Sequence, residues 1–273
     1  MSGKLYLVGT PIGNLGDFSQ RAIDTLNEVD FIAAEDTRVT LKLLNRFEIR
    51  KPLVSYFEHN KYASGAKIFE RIQAGESCAL VTDAGMPAIS DPGEDLVRMC
   101  AENGVEVLTV PGPAALISAL ALSALPTGRF CFEGFLSTAN KSRREHLESL
   151  KNEKRTMIFY EAPHKLLRTL CDMRDTFGDS RRISLCRELT KIHEETFRTT
   201  LGEAYEHYSA NPPKGEFVLV IEGAPEETNA YTVEDALLLA EKYRAEGLSR
   251  KAACKKAAAE TGYSANELYN MSI

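Results

Sequence analysis

The 273 residues are 44% hydrophobic, 26% charged and 8% aromatic, enough to bury one large core or two moderate ones, which excludes collagenous and disordered chains. Thirty-three Lys and Arg against 39 Asp and Glu give a formal net charge of -6, which argues against bulk coating by nucleic acid and leaves room for a local basic surface. No apolar stretch approaches the roughly 20 residues that span a bilayer, and the run in MSGKLYLVGT is too short for a signal peptide, so a secreted or membrane protein is not expected.

Short apolar or β-branched runs alternate with helix-length amphipathic segments from the start: KLYLV, then 18 to 28, FIAA, 37 to 47, PLVSY, 61 to 74, SCALVT, 93 to 103 and VEVLTV. That alternation predicts a parallel, helix-covered sheet. SCALVT is apolar almost throughout, as a strand buried on both faces is, so it is expected near the middle of the sheet. After VPGP an apolar helix, AALISALALSAL, leads to Pro126, and a second series follows: RFCFEGF, a charged helix at 141 to 152, RTMIFYE, a helix from Pro163 to Phe177, RISLCRE, ETFRTTL, a helix near 203 to 210 and EFVLVIEG. Two strands there follow one another directly, which predicts a mixed sheet in a second domain.

The polar stretch at 224 to 230 reads as a linker. Beyond it, Val233, Ala236, Leu237 and Ala240 repeat at helical spacing before Gly247, Ser249 opens another helix, and Ser264 with Glu267 has the spacing of a capping box. The expected organisation is an α/β domain at 1–115, a second α/β domain at 116–225 and a small helix-turn-helix-like module at 226–273. Cys78, Cys100, Cys131, Cys171, Cys186 and Cys254 form no C-x-x-C pair and read as reduced core thiols of a cytoplasmic protein. His59, His146, His193 and His207 show no metal-ligand spacing with each other or with the cysteines, and His164 follows Pro163 at a helix start, so no metal is expected.

Three loops follow strands and would converge on the carboxyl end of one sheet, where open parallel sheets bind ligands. In the first, Gly9, Gly13 and Gly16 make G-x3-G-x2-G, and Pro11 removes an N-H, so a dinucleotide loop or P-loop is disfavoured and a plain strand-to-helix turn remains open. The second, VTDAGMPAISDPG, runs eleven residues without helical periodicity and carries two Asp. It reads as a rigid connection with Asp91 near a helix cap, or as a ligand bed offering backbone groups and a carboxylate. The third, VPGPA, is stiffened by two prolines, and Gly112 allows close backbone approach.

LYLVGTPIGNLGD, AAEDTR, VTDAGMPAISDPG, VPGPAAL, FEGFL, FYEAPHKL and RELTKIHEE, in this order, resemble the tetrapyrrole methylase superfamily of AdoMet-dependent methyltransferases. The likeness runs from residue 4 to about residue 223. It is greatest to the branch that methylates a cytidine 2'-oxygen in 16S ribosomal RNA of the small subunit, and the helical tail resembles that branch's extension. The resemblance implies AdoMet as methyl donor in a cleft between two α/β domains. Pro11, Asp83, Ala84, Gly85, Ala88, Ile89 and Ser90 match its loops, and Leu136 and Ala162 match positions flanking the adenosine, although core packing is open for both. The first loop departs from the G-x-G-P-G-D of many tetrapyrrole-acting members, and DAGMP stands where they tend to have GDP; both differences favour the RNA branch. A homodimer is implied by resemblance alone.

Transfer of a methyl group to a ribose hydroxyl is an in-line displacement aided by a proton acceptor. Candidates are Glu35, Asp36 and Arg38 in AEDTR and Glu188, Lys191 and Glu195 in RELTKIHEE, against the alternatives that Asp36 caps a helix and that the second motif is a charged turn. RNA phosphates need cations on one surface. Lys141, Arg143 and Arg144 open one locally basic segment, and Arg250, Lys251, Lys255 and Lys256 lie in another; each also reads as a solvated helix face. A tetrapyrrole-precursor methyltransferase and an AdoMet-sensing RNA-binding protein without turnover are the alternatives.

Overall fold

The computed structural model describes residues 2–225 and 231–272; the stretch read as a linker lies almost wholly outside the described residues. The chain divides into two compact units, 1–223 and 224–273. The first unit opens with β1 (Leu5–Val8), α1 (Gln20–Glu28), β2 (Phe31–Ala34), α2 (Thr37–Arg46), β3 (Leu53–Ser55), α3 (Lys61–Gln73), β4 (Cys78–Val81), α4 (Glu94–Glu102) and β5 (Val107–Val110). The five strands form a parallel sheet in the order β3-β2-β4-β1-β5. β4 is central and buried on every residue, as its unbroken apolar run predicts. Ile32, Ala34, Ala79 and Val81 face the cluster that includes α1 and α2, while Phe31, Ala33, Cys78 and Leu80 face α3 and α4.

The second series comprises α5 (Ala115–Leu122), β6 (Phe130–Phe135), α6 (Asn140–Ser149), β7 (Thr156–Glu161), α7 (Pro163–Phe177), β8 (Arg182–Arg187), β9 (Glu195–Thr200), α8 (Leu201–Ala210) and β10 (Phe217–Ile221). Its sheet runs β6-β7-β10-β8-β9, with β6 and β7 parallel and the other pairs antiparallel, because β8 returns directly into β9. One face buries Leu147, Leu166, Leu170 and Met173 of α6 and α7. The other buries Ala119 and Leu120 of α5 against Ile158, Cys186, Val218 and Val220, and Ile12 of the first loop joins that cluster.

The second unit, described by itself, holds α9 (Val233–Ala245), α10 (Arg250–Thr261) and α11 (Ala265–Met271) around Ala236, Ala240, Ala253, Ala257 and Leu268. Thr232 and Asp235 form a capping box on α9, and α10 ends at Gly262 in the left-handed conformation.

Candidate active site

Parallel pairing places the carboxyl ends of β1, β4 and β5 side by side, and their loops lock together. Thr10 and Gly85 exchange backbone bonds of 2.9 and 3.1 Å, and Thr10 Oγ1 donates to the Thr82 carbonyl at 3.1 Å. A Cβ on Gly9 would stand 2.6 Å from the Gly112 Cα, so these loops touch backbone to backbone and neither position admits a side chain. A Cβ on Gly13 would meet the Lys191 side chain at 2.6 Å, which brings the first loop against the turn after β8.

Pro11 is half-buried beside this junction, Gly85 is buried at φ +90°, and Asp83 and Ala84 are exposed next to it. Ala88 takes φ +66°, sparsely populated for a residue with a side chain, and packs where a Cβ on Gly93 would lie 2.7 Å away. Ile89 and Ser90 stand exposed on the same loop. Leu136 is buried and Ala162 half-buried, just past the ends of the neighbouring strands β6 and β7.

Carboxylates gather at the ends of β2 and β4. Glu35 Oε2 accepts from Thr82 Oγ1 at 2.6 Å, and Asp83 Oδ1 accepts from the Asp36 N-H at 3.1 Å. Burial pushes the Asp83 carboxyl up, reinforced by Glu35 and Asp36 and opposed by that N-H. Asp91 is half-buried in the same group; burial first, then the charges of Glu35 and Asp83, push it up to about 6 against the Thr82 hydroxyl. Asp91 does not cap a helix: the residue before α4 is Gly93, which has no side chain to do so. Asp91 lies outside the two acid-base motifs, and its only signal in the sequence is a second Asp in the turn-rich loop after β4.

Asp36 and Arg38 occupy each other. Asp36 Oδ1 caps α2 through the Arg38 N-H at 2.8 Å and also takes Arg38 Nε at 3.0 Å, while Oδ2 takes Nη2 at 2.6 Å. The guanidinium holds the Asp36 carboxyl well below the usual range. RELTKIHEE is a charged turn between β8 and β9 with Glu188 and Thr190 at φ +52° and +66°. Lys191 Nζ donates to Glu188 at 2.9 Å and Glu216 at 2.8 Å; burial opposes its charge, but the two carboxylates hold its ammonium above the ordinary value. The Glu216 N-H, then Lys191, keep Glu188 low. Glu195 accepts from Arg187 at 3.0 and 2.9 Å. Clamped between two carboxylates, Lys191 carries its full complement of protons in this arrangement.

Arg143 is 4% exposed, and its Nε donates to the buried Asp172 at 2.7 Å, so its charge is paired inside the protein and not on the outer face of α6. Lys141 and Arg144 remain exposed on α6. In the second unit Lys251, Lys255 and Lys256 are exposed on α10, whereas Arg250 bonds the carbonyls of Tyr269 and Ser272. Among the described residues no three His, Cys, Asp or Glu side chains are arranged to hold a metal ion.

The profile of the family described as Tetrapyrrole (Corrin/Porphyrin) Methylases matches residues 4–205. The Ribosomal RNA small subunit methyltransferase I of Synechocystis is 49% identical over 99% of this chain and 98% of its own length. The protein of the same name from Thermotoga maritima is also 49% identical, over 81% of this chain and 99% of its own length. In fold, the chain is similar to uroporphyrin-III C-methyl transferase from Thermus thermophilus, solved with S-adenyl homocysteine, at TM-score 0.55 and 18% identity over 80% of this chain and 97% of that one.

Proposed function

The chain belongs to the tetrapyrrole (corrin/porphyrin) methylase family and is an AdoMet-dependent ribosomal RNA methyltransferase; from that premise we propose that it methylates the 2'-oxygen of a cytidine in the RNA of the small ribosomal subunit. The observation carrying this reading is the 49% identity over nearly the whole chain to a relative of that name, where the likeness to tetrapyrrole-acting structures is one of fold.

The site fits the methyl donor by the chemistry of its groups. AdoMet carries positive charge on its sulfur and its amino group and supplies a methyl group open to in-line attack. Glu35, Asp83 and Asp91 set carboxylates around the ends of β2 and β4, and the exposed backbone beside Gly85 offers N-H and C=O groups. Pro11, Asp83, Ala84, Gly85, Ala88, Ile89 and Ser90 would hold the amino-acid side and Leu136 and Ala162 the adenosine side. The ribose hydroxyl loses its proton as its oxygen bonds the methyl carbon and the carbon-sulfur bond breaks. We assign that proton to Asp91, a half-buried carboxyl in the loop after β4 that carries the ligand-bed residues Asp83 to Ser90, with burial pushing it up to about 6. Asp36, Arg38, Glu188, Lys191 and Glu195 then act as fixed charges that position the two motifs.

Lys141, Arg144 and the exposed lysines of α10 would meet RNA phosphates, with shape setting recognition. We further propose a homodimer working in the cytoplasm, with domain boundaries at 115 and 225; light scattering, fractionation and limited proteolysis test these in turn. Among the described residues no helix is long and apolar enough to cross a membrane.

The test is transfer from labelled AdoMet to purified small subunits, to naked unmethylated ribosomal RNA and to a uroporphyrinogen-type substrate, followed by nuclease mapping. A labelled 2'-O-methylcytidine in the subunits is expected. Label only in the porphyrinoid, or AdoMet binding without transfer, overturns the proposal.

A further inference from the structure

A cavity of about 250 Å³ opens where α6 and α7 meet the loop after β6, on the helical side of the second sheet. Its lining joins Ser137 and Thr138 of that loop, Arg143 of α6, Glu161 at the end of β7, and Lys165 and Arg168 of α7. Its volume lies below the roughly 300–1,000 Å³ of pockets that enclose a whole drug-sized ligand, so it suits one small group.

The electrostatics of the wall favour an anion. Arg143 and Arg144 share the single carboxylate of Asp172, at 2.7 and 3.0 Å. Glu161 is 4% exposed and is engaged by the Ala162 N-H at 2.8 Å and by Thr169 Oγ1 at 2.5 Å. Among the described residues neither Lys165 nor Arg168 has a carboxylate within ion-pair distance, although Lys165 is half-buried. The lining itself carries three cations, Arg143, Lys165 and Arg168, against one carboxylate, Glu161. The wall is also rigid: Arg143 reaches the Ser137 and Thr138 carbonyls, both at 3.4 Å, and Asn140 Oδ1 at 2.9 Å, fixing the loop whose hydroxyls border the opening.

We propose that this cavity is a subsite for one phosphodiester of the RNA backbone, gripped by Lys165 and Arg168 with Ser137 and Thr138 as further donors. The proposal rests on the reading of the chain as an RNA methyltransferase. A phosphodiester chain leaving the cavity would pass the exposed side chains of Arg144 and Lys141 on α6, which are paired with Asp172 at 3.0 Å and Glu145 at 3.9 Å. Thus FYEAPHKL, which spans the end of β7 and the start of α7, would contribute to RNA binding through Lys165, whereas the sequence pointed to Lys141, Arg143 and Arg144.

The experiment compares wild type with Lys165→Gln/Arg168→Gln, and with Arg168→Gln alone at an exposed position should the double variant fold poorly. Affinity for unmethylated small subunits is measured between 50 and 200 mM salt, with AdoMet affinity by calorimetry. The expected result is weaker subunit binding with unchanged AdoMet affinity, and a slope of log affinity against log salt shallower by about 0.7 to 0.9 for the one phosphate released. The deficit at 50 mM should accordingly shrink roughly 3-fold by 200 mM. An unchanged slope overturns the subsite, as does loss of AdoMet affinity, which would give these cations to the methyl donor. If wild type methylates subunits while the variants keep its slope, the subsite alone fails; if wild type transfers nothing to RNA, the functional reading fails with it.

Discussion

Replacing Asp172 with Asn tests whether Arg143 is an internal tether. The two side chains are 5% and 4% exposed, with a hydrogen bond from Arg143 Nε to Asp172 Oδ2 at 2.7 Å and an ion-pair contact from Nη2 to the same oxygen at 2.6 Å. Without the carboxylate, the guanidinium keeps an amide oxygen and two long carbonyl contacts, and its charge stays in the protein interior. Breaking one side of such a pair costs about 3–5 kcal/mol, because the desolvated charge has lost its partner. At about 2–4 °C per kcal/mol for a unit of this size, the midpoint should fall by roughly 6–20 °C. Arg144→Ala removes the other partner of Asp172, but that side chain is 69% exposed, and a solvent-screened pair contributes about 0–1 kcal/mol. Arg143→Met combined with Asp172→Leu removes both charges and should recover most of the loss. Scanning calorimetry of the four proteins gives the comparison. A midpoint for Asp172→Asn within about 2 °C of wild type, or a double variant as unstable as the single, would refute the reasoning.

Asp91→Asn should lower kcat on the order of 100-fold and abolish the acid limb of the pH profile. In wild type that limb falls as pH drops through about 6, where the carboxylate takes up a proton. The same variant should melt higher at pH 8: a carboxyl raised by burial destabilises the fold once ionised, and the penalty grows as pH rises through the folded value. A lower midpoint for Asn at pH 8 would contradict the burial of that charge. Gly9→Ala pushes a methyl group into the Gly112 backbone, so AdoMet affinity should drop and stability should fall by about 1–3 kcal/mol, read by calorimetry and denaturant titration. Lys251→Gln/Lys255→Gln/Lys256→Gln should raise KM for small subunits and leave AdoMet affinity intact; an equal loss of both would point to a folding role for α10.

The catalytic half of the molecule was the more legible in the sequence. Loops rich in Gly and Pro directly after buried strands identify the ligand edge, because a parallel sheet brings those strand ends together whatever their order. The two candidate acid-base motifs were found by their charge density, yet their individual roles were not. Asp36 finds its partner two residues away and its cap was foreseeable. Lys191 is neutralised by Glu216, 25 residues on, and Arg143 by Asp172, 29 residues on, and no local pattern reports such pairings.

The sequence by itself determined the alternation of strands and helices, the central place of β4, the return of β8 into β9 and the convergence of three loops. Each follows from side-chain periodicity or from turn chemistry within a few residues. Only the tertiary structure decided which charges remain available. A cation's pairing and a carboxyl's proton affinity depend on burial and on neighbours brought in from distant strands and helices. Arg143 therefore lines the cavity paired with Asp172, Lys165 and Arg168 line it without an ion-pair partner among the described residues, and Asp91 has its carboxyl pushed up to about 6.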